Sequence, residues 1–331
     1  MRVAIAGAGI IGLSIAWRLA QAGYEVTVKD AGRIAGQASW AAAGMLTPAG
    51  EFHTESRWTQ LALESLAEYG AFVEELTAAT GVQIDYRVCG ALELAFTDAE
   101  RDALDRPRPE GIRMEEVTVA GASYFAPIPL TGVRAARWFP NEAVVDPRHV
   151  CTALLAACRG LGVEIRENET VGECQGPMVV AAGAWASRIA GLAGAPQAFP
   201  VKGHLLGFRC KKESMPPIVR HGHHYALQRE NGFTIFGSDE QRDRWDTTPD
   251  AERVEALTEA AAALLPRLLQ RQPDEVWAGL RPASDAGEPV VKQIPGEEIW
   301  LAYGHFRNGI LLAPVTARMI TASIVASLGK G

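Results

Sequence analysis

The first residues with chemistry in them are glycines. Gly7-Ala8-Gly9-Ile10-Ile11-Gly12 spells G-x-G-x-x-G, directly after the apolar run Val3-Ala4-Ile5-Ala6. Glycines at this spacing suit a dinucleotide: Gly7 permits a tight turn off a strand, Gly9 lets backbone approach a pyrophosphate, and Gly12 lets the next helix lie against the sheet. With Ile10 and Ile11 at the mouth of that helix, its N–H groups and dipole favour phosphate. Asp30 closes the second strand, where a carboxylate can accept hydrogen bonds from both ribose hydroxyls. An acid there disfavours a 2′-phosphate and argues against NADP. The motif by itself does not separate NAD from FAD.

The surrounding elements are in register with that reading. Leu13 to Ala22 has helical periodicity, with Ile15, Ala16, Leu19 and Ala20 on one face, and Gly23 stops it. Glu25 to Val28 reads as the second strand. A secretory leader is the bland alternative for so apolar a start, but glycines interrupt it, one basic residue precedes it and an amphipathic helix runs on past it.

Composition bounds the rest. A chain of 331 residues that is 48% hydrophobic and 21% charged suits one large or two moderate globular domains. There is no uninterrupted apolar span long enough for a transmembrane helix. A net charge of −7 without a basic run argues against nucleic acid as a partner. Cys89, Cys151, Cys158, Cys174 and Cys210 are scattered, odd in number and free of C-x-x-C spacing, which predicts buried thiols in a reducing cytoplasm. His221-Gly222-His223-His224 lacks carboxylate or cysteine partners, so no metal site is expected.

Ala31 to Gly50 is rich in small residues, as in Ser39-Trp40-Ala41-Ala42-Ala43-Gly44-Met45-Leu46, and fits backbone pressed against a bulky cofactor better than a core helix. Helices are predicted over 58–80, 98–104, 148–161, 185–192, 249–269 and 315–328. Short strands are predicted over 90–96, 163–165, 170–171, 277–282, 290–291 and 299–303, and a second buried strand over 178–183 ends in Gly183. Residues 199–245 alternate and carry turn residues, including Asn231-Gly232, and read as antiparallel sheet. The class is α/β. The nucleotide elements are split by inserted segments, which predicts interleaved domains: 1–80, 141–195 and 275–331 for the nucleotide, 81–140 and 196–274 for the substrate.

The later motifs carry a resemblance. Gly304-His305-Phe306-Arg307-Asn308-Gly309-Ile310-Leu311-Leu312-Ala313-Pro314, Trp277-Ala278-Gly279-Leu280-Arg281-Pro282, the Ser39–Leu46 stretch and Val179-Val180-Ala181-Ala182-Gly183-Ala184-Trp185 follow the N-terminal fingerprint in order. Together they resemble the glycine oxidase branch of the D-amino acid oxidase family over nearly the whole length. The resemblance implies a Rossmann-like FAD-binding domain, non-covalent FAD, and a substrate domain on a mainly antiparallel sheet. Ala38-Ser39 and Ala43-Gly44-Met45 would wrap the flavin, Ala31 and Gly183 would complete the contacts, and Val171 would meet the adenine through its backbone. His305 to Leu311 (His305, Phe306, Arg307, Asn308, Gly309, Ile310, Leu311) would line the flavin ring, with no cysteine for covalent attachment. Arg281 would bind the substrate carboxylate, assisted by Tyr225 and Arg307. Three departures stand out: Asp30 replaces a common glutamate, Tyr225-Ala226-Leu227-Gln228-Arg229 lacks the usual proline before the arginine, and only six residues separate Val171 from Met178 where relatives usually have a longer hairpin.

The implied reaction is oxidation of glycine or a small D- or N-substituted amino acid by hydride transfer from Cα to flavin N5. Oxygen would be reduced to hydrogen peroxide, and the imine hydrolysed to a 2-oxo acid and ammonia. The cofactor carries such chemistry and the protein orients the substrate, so no catalytic triad is expected. In bacteria, glycine oxidases of this branch supply an imine for thiamine thiazole synthesis. A dehydrogenase with a non-oxygen acceptor and a non-catalytic flavin-binding subunit are the alternatives. Relatives are often oligomers, and the sequence leaves a homo-oligomer open.

Overall fold

The computed structural model describes residues 1–125, 132–171, 176–192, 194–211, 217–268 and 270–329. Cys174 and Leu269 lie outside the described residues. Arg2–Ala6 and Glu25–Asp30 are central strands of a six-stranded sheet, with Val3, Ile5, Val26 and Val28 buried at alternate positions. Its order is Val290–Gln293, Ile299–Tyr303, Met178–Val180, Arg2–Ala6, Glu25–Asp30, Glu164–Glu167. Pairing is parallel throughout except for Val290–Gln293, which runs antiparallel to its neighbour. Parallel pairing demands crossovers, and the apolar runs of these strands fit a sheet covered on both faces.

The first helix, Ile10–Gln21, packs against helices Pro147–Gly160 and Ala313–Leu328, and the long helix Arg57–Thr80 lies across those two. Local chemistry fixes the ends of these helices. Ser56 accepts from Thr59 N at 3.0 Å, and Gly81 closes the long helix in left-handed backbone at φ 74°. Asp146 accepts from Arg148 N at 2.9 Å, with Pro147 in the first turn. Val150, Cys151, Leu154, Ala157 and Cys158 recur at helical spacing and are buried.

A second layer begins with strand Ala198–Arg209. Its sheet has the order Gln241–Arg242, Ala198–Arg209, Phe233–Gly237, His224–Gln228, Ile218–His221, Ala91–Ala95, Ala135–Phe139, Glu115–Val117, with Glu275–Ser284 also paired to Ala198–Arg209. The pairs are antiparallel except Ile218–His221 with Ala91–Ala95. Helix Ala251–Leu264, capped by Asp250, covers part of it. A small sheet of Met45–Leu46, Ala143–Val145 and Tyr86–Val88 bridges the layers.

Several expectations need correction. The segment expected as helix 185–192 is a tight 3-10 run, Gly183–Arg188, because Gly183 (φ 56°) and Gly191 (φ 85°) bracket it in left-handed backbone. Thr170-Val171 carries no strand: Glu164–Glu167 ends at Asn168, whose φ of 55° turns the chain out of the sheet. A short 3-10 turn, Phe306–Asn308, precedes the last helix, which starts at Ala313 rather than at the expected 315. Glu275–Ser284, which begins at the boundary expected at 275, registers with Ala198–Arg209 over ten positions in the antiparallel sheet. Among the described residues no helix is long and apolar enough to cross a membrane. Cys151 and Cys158 are buried, Cys89 and Cys210 half-buried, and all four are free.

The first helix meets the sheet through Gly12, where a Cβ would lie 1.9 Å from the Gly7 carbonyl oxygen. Backbone cannot yield there as a side-chain tip would. Gly12→Ala is therefore expected to cost about 1–3 kcal/mol of stability, measured by urea unfolding without added cofactor. An unchanged midpoint would contradict this packing.

Candidate active site

A cavity of about 630 Å³ runs from the C-terminal ends of the parallel strands into the antiparallel layer. At the nucleotide end, Gly7 leaves its strand at φ 105°, and a Cβ there would lie 2.4 Å from the Ala181 carbonyl oxygen. Gly7, Gly9, Ile10 and Ile11 line the cavity. Gly12 does not: it faces the Gly7 backbone, so its part is to seat the helix rather than to touch a ligand. Asp30 lies on the wall, and its two oxygens already accept backbone N–H groups, Oδ2 from Ala8 at 2.7 Å and Oδ1 from Gly32 at 2.8 Å. A carboxylate has about four acceptor sites, so the ribose reading and the turn-bracing seen here are compatible. Ser39 Oγ accepts from Ile10 N at 3.0 Å, which ties the small-residue segment to the helix mouth.

That segment is small because it is squeezed on more than one side. Ala38–Ala41 is a single helical turn, and Trp277 Nε1 donates to the Ala41 carbonyl at 2.9 Å. A Cβ at Gly279 would lie 2.4 Å from Ala41 Cβ, and one at Gly44 (φ 83°) would lie 2.0 Å from the Val145 carbonyl oxygen. Ala31, Ala38, Ser39, Ala43, Gly44, Met45, Val171 and Gly183 all line the cavity. Buried Arg229 braces the segment, donating Nη1 to Val145 O at 2.6 Å and Nη2 to Ala43 O. The missing proline before Arg229 thus leaves this buttress intact.

At the far end, Arg281, Tyr225 and Arg307 come together. The Arg281 guanidinium donates Nη1 to the Asp239 carbonyl at 3.0 Å and Nη2 to Ser238 Oγ at 2.5 Å. It lies over Gly203 on the neighbouring strand, where a Cβ would lie 2.2 Å from Nη1. Tyr225 is buried, and burial raises its hydroxyl above the ordinary tyrosine value. Arg307 Nε sits 3.0 Å from Glu51 Oε1, and Nη1 sits 3.5 Å from Glu240. Sequence reasoning missed Glu51, Gly203, Ser238 and Arg229. A lone acid after the small-residue run was the available signal for Glu51, whereas Gly203 shows its purpose only once the strand register is known.

His305, Phe306, Arg307, Asn308, Gly309 and Ile310 line the cavity. Leu311 does not: its side chain is buried in the core of the parallel layer, and its carbonyl accepts from Ser65 Oγ at 2.6 Å. His305 is buried with Nε2 3.0 Å from Thr316 Oγ1, and burial pushes its imidazole down to about 4. In the histidine-rich stretch, His221 Nε2 meets Glu100 at 3.1 Å and His224 packs on Phe236.

The family profile described as DAO, FAD dependent oxidoreductase, matches residues 2–323. The chain belongs to this FAD-dependent oxidoreductase family. It is 32% identical to the glycine oxidase of Pseudomonas aeruginosa, over 96% of this chain and 93% of that protein. It is 31% identical to the bifunctional protein ThiO/ThiG of Synechocystis, over 98% of this chain and 51% of that protein. The crystal structure of glycine oxidase from Geobacillus kaustophilus superposes with a TM-score of 0.92 at 29% identity, covering 98% of this chain and 95% of that one.

The site of this FAD-dependent oxidoreductase fits its cofactor. Gly7 makes a cradle that a Cβ would fill, the Asp30 carboxylate lies on the wall of the same cavity, and small residues line it from Ala41 to Gly44. Asp30→Ala is expected to weaken FAD binding by about 1.5–3 kcal/mol, roughly 10- to 150-fold, read by titrating the stripped protein with FAD. Unchanged affinity would reduce Asp30 to a brace of its own turn.

His305 yields a pH prediction. Its folded value, about 4, lies below the ordinary 6.5. The unfolded chain therefore takes up this proton first, and stability falls as pH drops from 6.5 towards 4. Between pH 6.5 and 5 the contribution is about 2 kcal/mol, and His305→Gln should lose it, giving a flatter urea-unfolding free energy across that interval. Parallel slopes in both proteins would mean that His305 protonates inside the fold.

Proposed function

We propose that this flavoenzyme oxidises glycine or a small D- or N-substituted amino acid at its Cα–N bond, using oxygen. The amino acid loses two electrons and two protons to become an imine, oxygen becomes hydrogen peroxide, and water converts the imine to a 2-oxo acid and ammonia, or the corresponding amine where the nitrogen is substituted. FAD, when bound, supplies the hydride acceptor. The observation that carries this reading is one half-buried guanidinium, Arg281, at the end of the same cavity whose other end is the dinucleotide turn. A planar guanidinium is the natural bidentate partner of a carboxylate. Ser238 and the Asp239 carbonyl fix its orientation, and Gly203 leaves the space it lies in. Tyr225 and Leu205 present largely buried surface beside it, which limits water around the ion pair. The likeness to a ThiO/ThiG fusion fits a role in supplying an imine for thiamine thiazole formation. The free thiols fit a reducing cytoplasm.

A substrate panel of glycine, sarcosine and D-alanine with peroxide detection tests the reading, and turnover with an artificial acceptor but none with oxygen would favour the dehydrogenase alternative. Arg281→Ala is expected to lower kcat/KM by about 30- to 4,000-fold, the usual cost of deleting one partner of a desolvated charge pair. Lysine should rescue in part, since an ammonium cannot offer two parallel donors. Gly203→Ala should act through the same contact, raising KM by displacing the guanidinium while the chain stays folded. Equal losses for amines with and without a carboxylate would remove Arg281 from carboxylate binding.

A further inference from the structure

We propose that Glu51 is a specificity-determining residue that neutralises Arg307, so that the substrate end of the cavity presents one guanidinium with no carboxylate in contact, Arg281, and selects amino acids with a single carboxylate. The inference rests on the amino acid oxidase reading above and names the substrate class of that site.

Two guanidiniums reach this end of the cavity, and each would hold a carboxylate. Their surroundings differ. Arg281 is held by neutral acceptors, Ser238 Oγ and the Asp239 carbonyl. Arg307 is matched by an acid: Glu51 Oε1 lies 3.0 Å from Nε, with both side chains largely buried at 13% and 18% exposure. Glu240, more exposed, adds a weaker contact at 3.5 Å. Burial raises the Glu51 carboxyl while Arg307, Arg220 and Arg281 pull it back. A charge-assisted contact of this kind in a shielded place leaves Arg307 little pull on a second anion.

The position of Glu51 is built. It ends the single turn Pro48–Glu51, and that turn is clamped from below. Glu142 accepts from Ala49 N at 2.9 Å and pairs with Arg220 at 2.5 Å, while Arg220 reaches Glu93 at 3.0 Å. Gly50 rests on the same guanidinium, where a Cβ would lie 2.6 Å from Arg220 Nη1. Burying one arginine and one glutamate costs desolvation, and their geometry aims a third charge, Glu51, at the cavity wall. A substrate with a second carboxylate would have to face Glu51 or displace it from Arg307.

The test compares ligands that differ by one carboxylate. With FAD-loaded protein, acetate and malonate are titrated by their perturbation of the flavin absorbance, and sarcosine and iminodiacetate are compared as substrates. Wild type is expected to favour the monoacid of each pair. Glu51→Gln keeps size and an acceptor for Arg307 but removes the charge, and should shift both ratios towards the diacid by about 10- to 100-fold, mainly through Kd and KM. Glu51→Asp should stay near wild type, and adding Arg307→Gln to Glu51→Gln should abolish the shift. Unchanged ratios in a folded Glu51→Gln protein, or a diacid preference that survives loss of Arg307, would overturn the proposal. So would losses confined to amines with acetate binding unaltered, which would make Glu51 the partner of the substrate ammonium. If Glu51→Gln does not fold, a diacid preference in wild type or in Glu51→Asp would overturn it, and a monoacid preference in both supports it. A wild type that binds these acids yet is reduced by no amino acid would sink the oxidase reading and leave the acid ratios to be judged separately.

Discussion

The pairing of Ala198–Arg209 with Glu275–Ser284 holds both ends of the cavity in one frame. Its register sets Val201 opposite Arg281 and Gly203 opposite Gly279. One strand therefore carries Trp277, which grips Ala41; Gly279, against which Ala41 packs; and Arg281, which lies over Gly203. Because side chains alternate along a strand, a slip of one residue would turn Arg281 away and put bulk where Ala41 must fit. The small-residue segment and the guanidinium take their places from the same ladder.

Polar anchors inside the protein do much of the remaining positioning. Arg229 draws two carbonyls of separate segments onto one guanidinium, and Lys202, fully buried, donates Nζ to Asp246 at 2.7 Å and to the Thr248 carbonyl at 2.5 Å. His204 links Asp239 to Asp250 N, the cap of helix Ala251–Leu264. Such groups are costly to bury unless they are paired. Here the pairing falls on backbone at the limits of the ladders: Ala43 and Thr248 lie outside any strand, and Val145 is the last residue of one.

Much of the fold could be read before the structure. The glycine fingerprint, the long helix ending at Gly81 and the hairpin around Asn231-Gly232 are local signals, and each appears where its residues dictate. Arg281, Arg307 and Tyr225 were found through motifs, and the structure brings them to one end of one cavity. What could not be read depends on residues distant in sequence. Glu51 meets Arg307 across most of the chain, and Arg229 meets Ala43 across much of it. Leu311 looked like wall because its neighbours are; its inward turn follows from Ser65, on a helix far earlier in the sequence. The pairing of Glu275–Ser284 with Ala198–Arg209 has the same origin, for strand pairing is a non-local fact.

The order of strands in the parallel sheet bears on how the chain can be made. The strand that flanks Met178–Val180 is Ile299–Tyr303, and the first helix rests on Ala313–Leu328. A ribosome delivers the fingerprint first and the elements that cover it last. Until the final segment emerges, part of the apolar side of Ile10–Gln21 and one edge of Met178–Val180 lack their native partner. Parallel, long-range pairing of this sort is slow to form and exposes sticky surface meanwhile. The nucleotide turn is thus completed by elements that lie almost a whole chain length away from it.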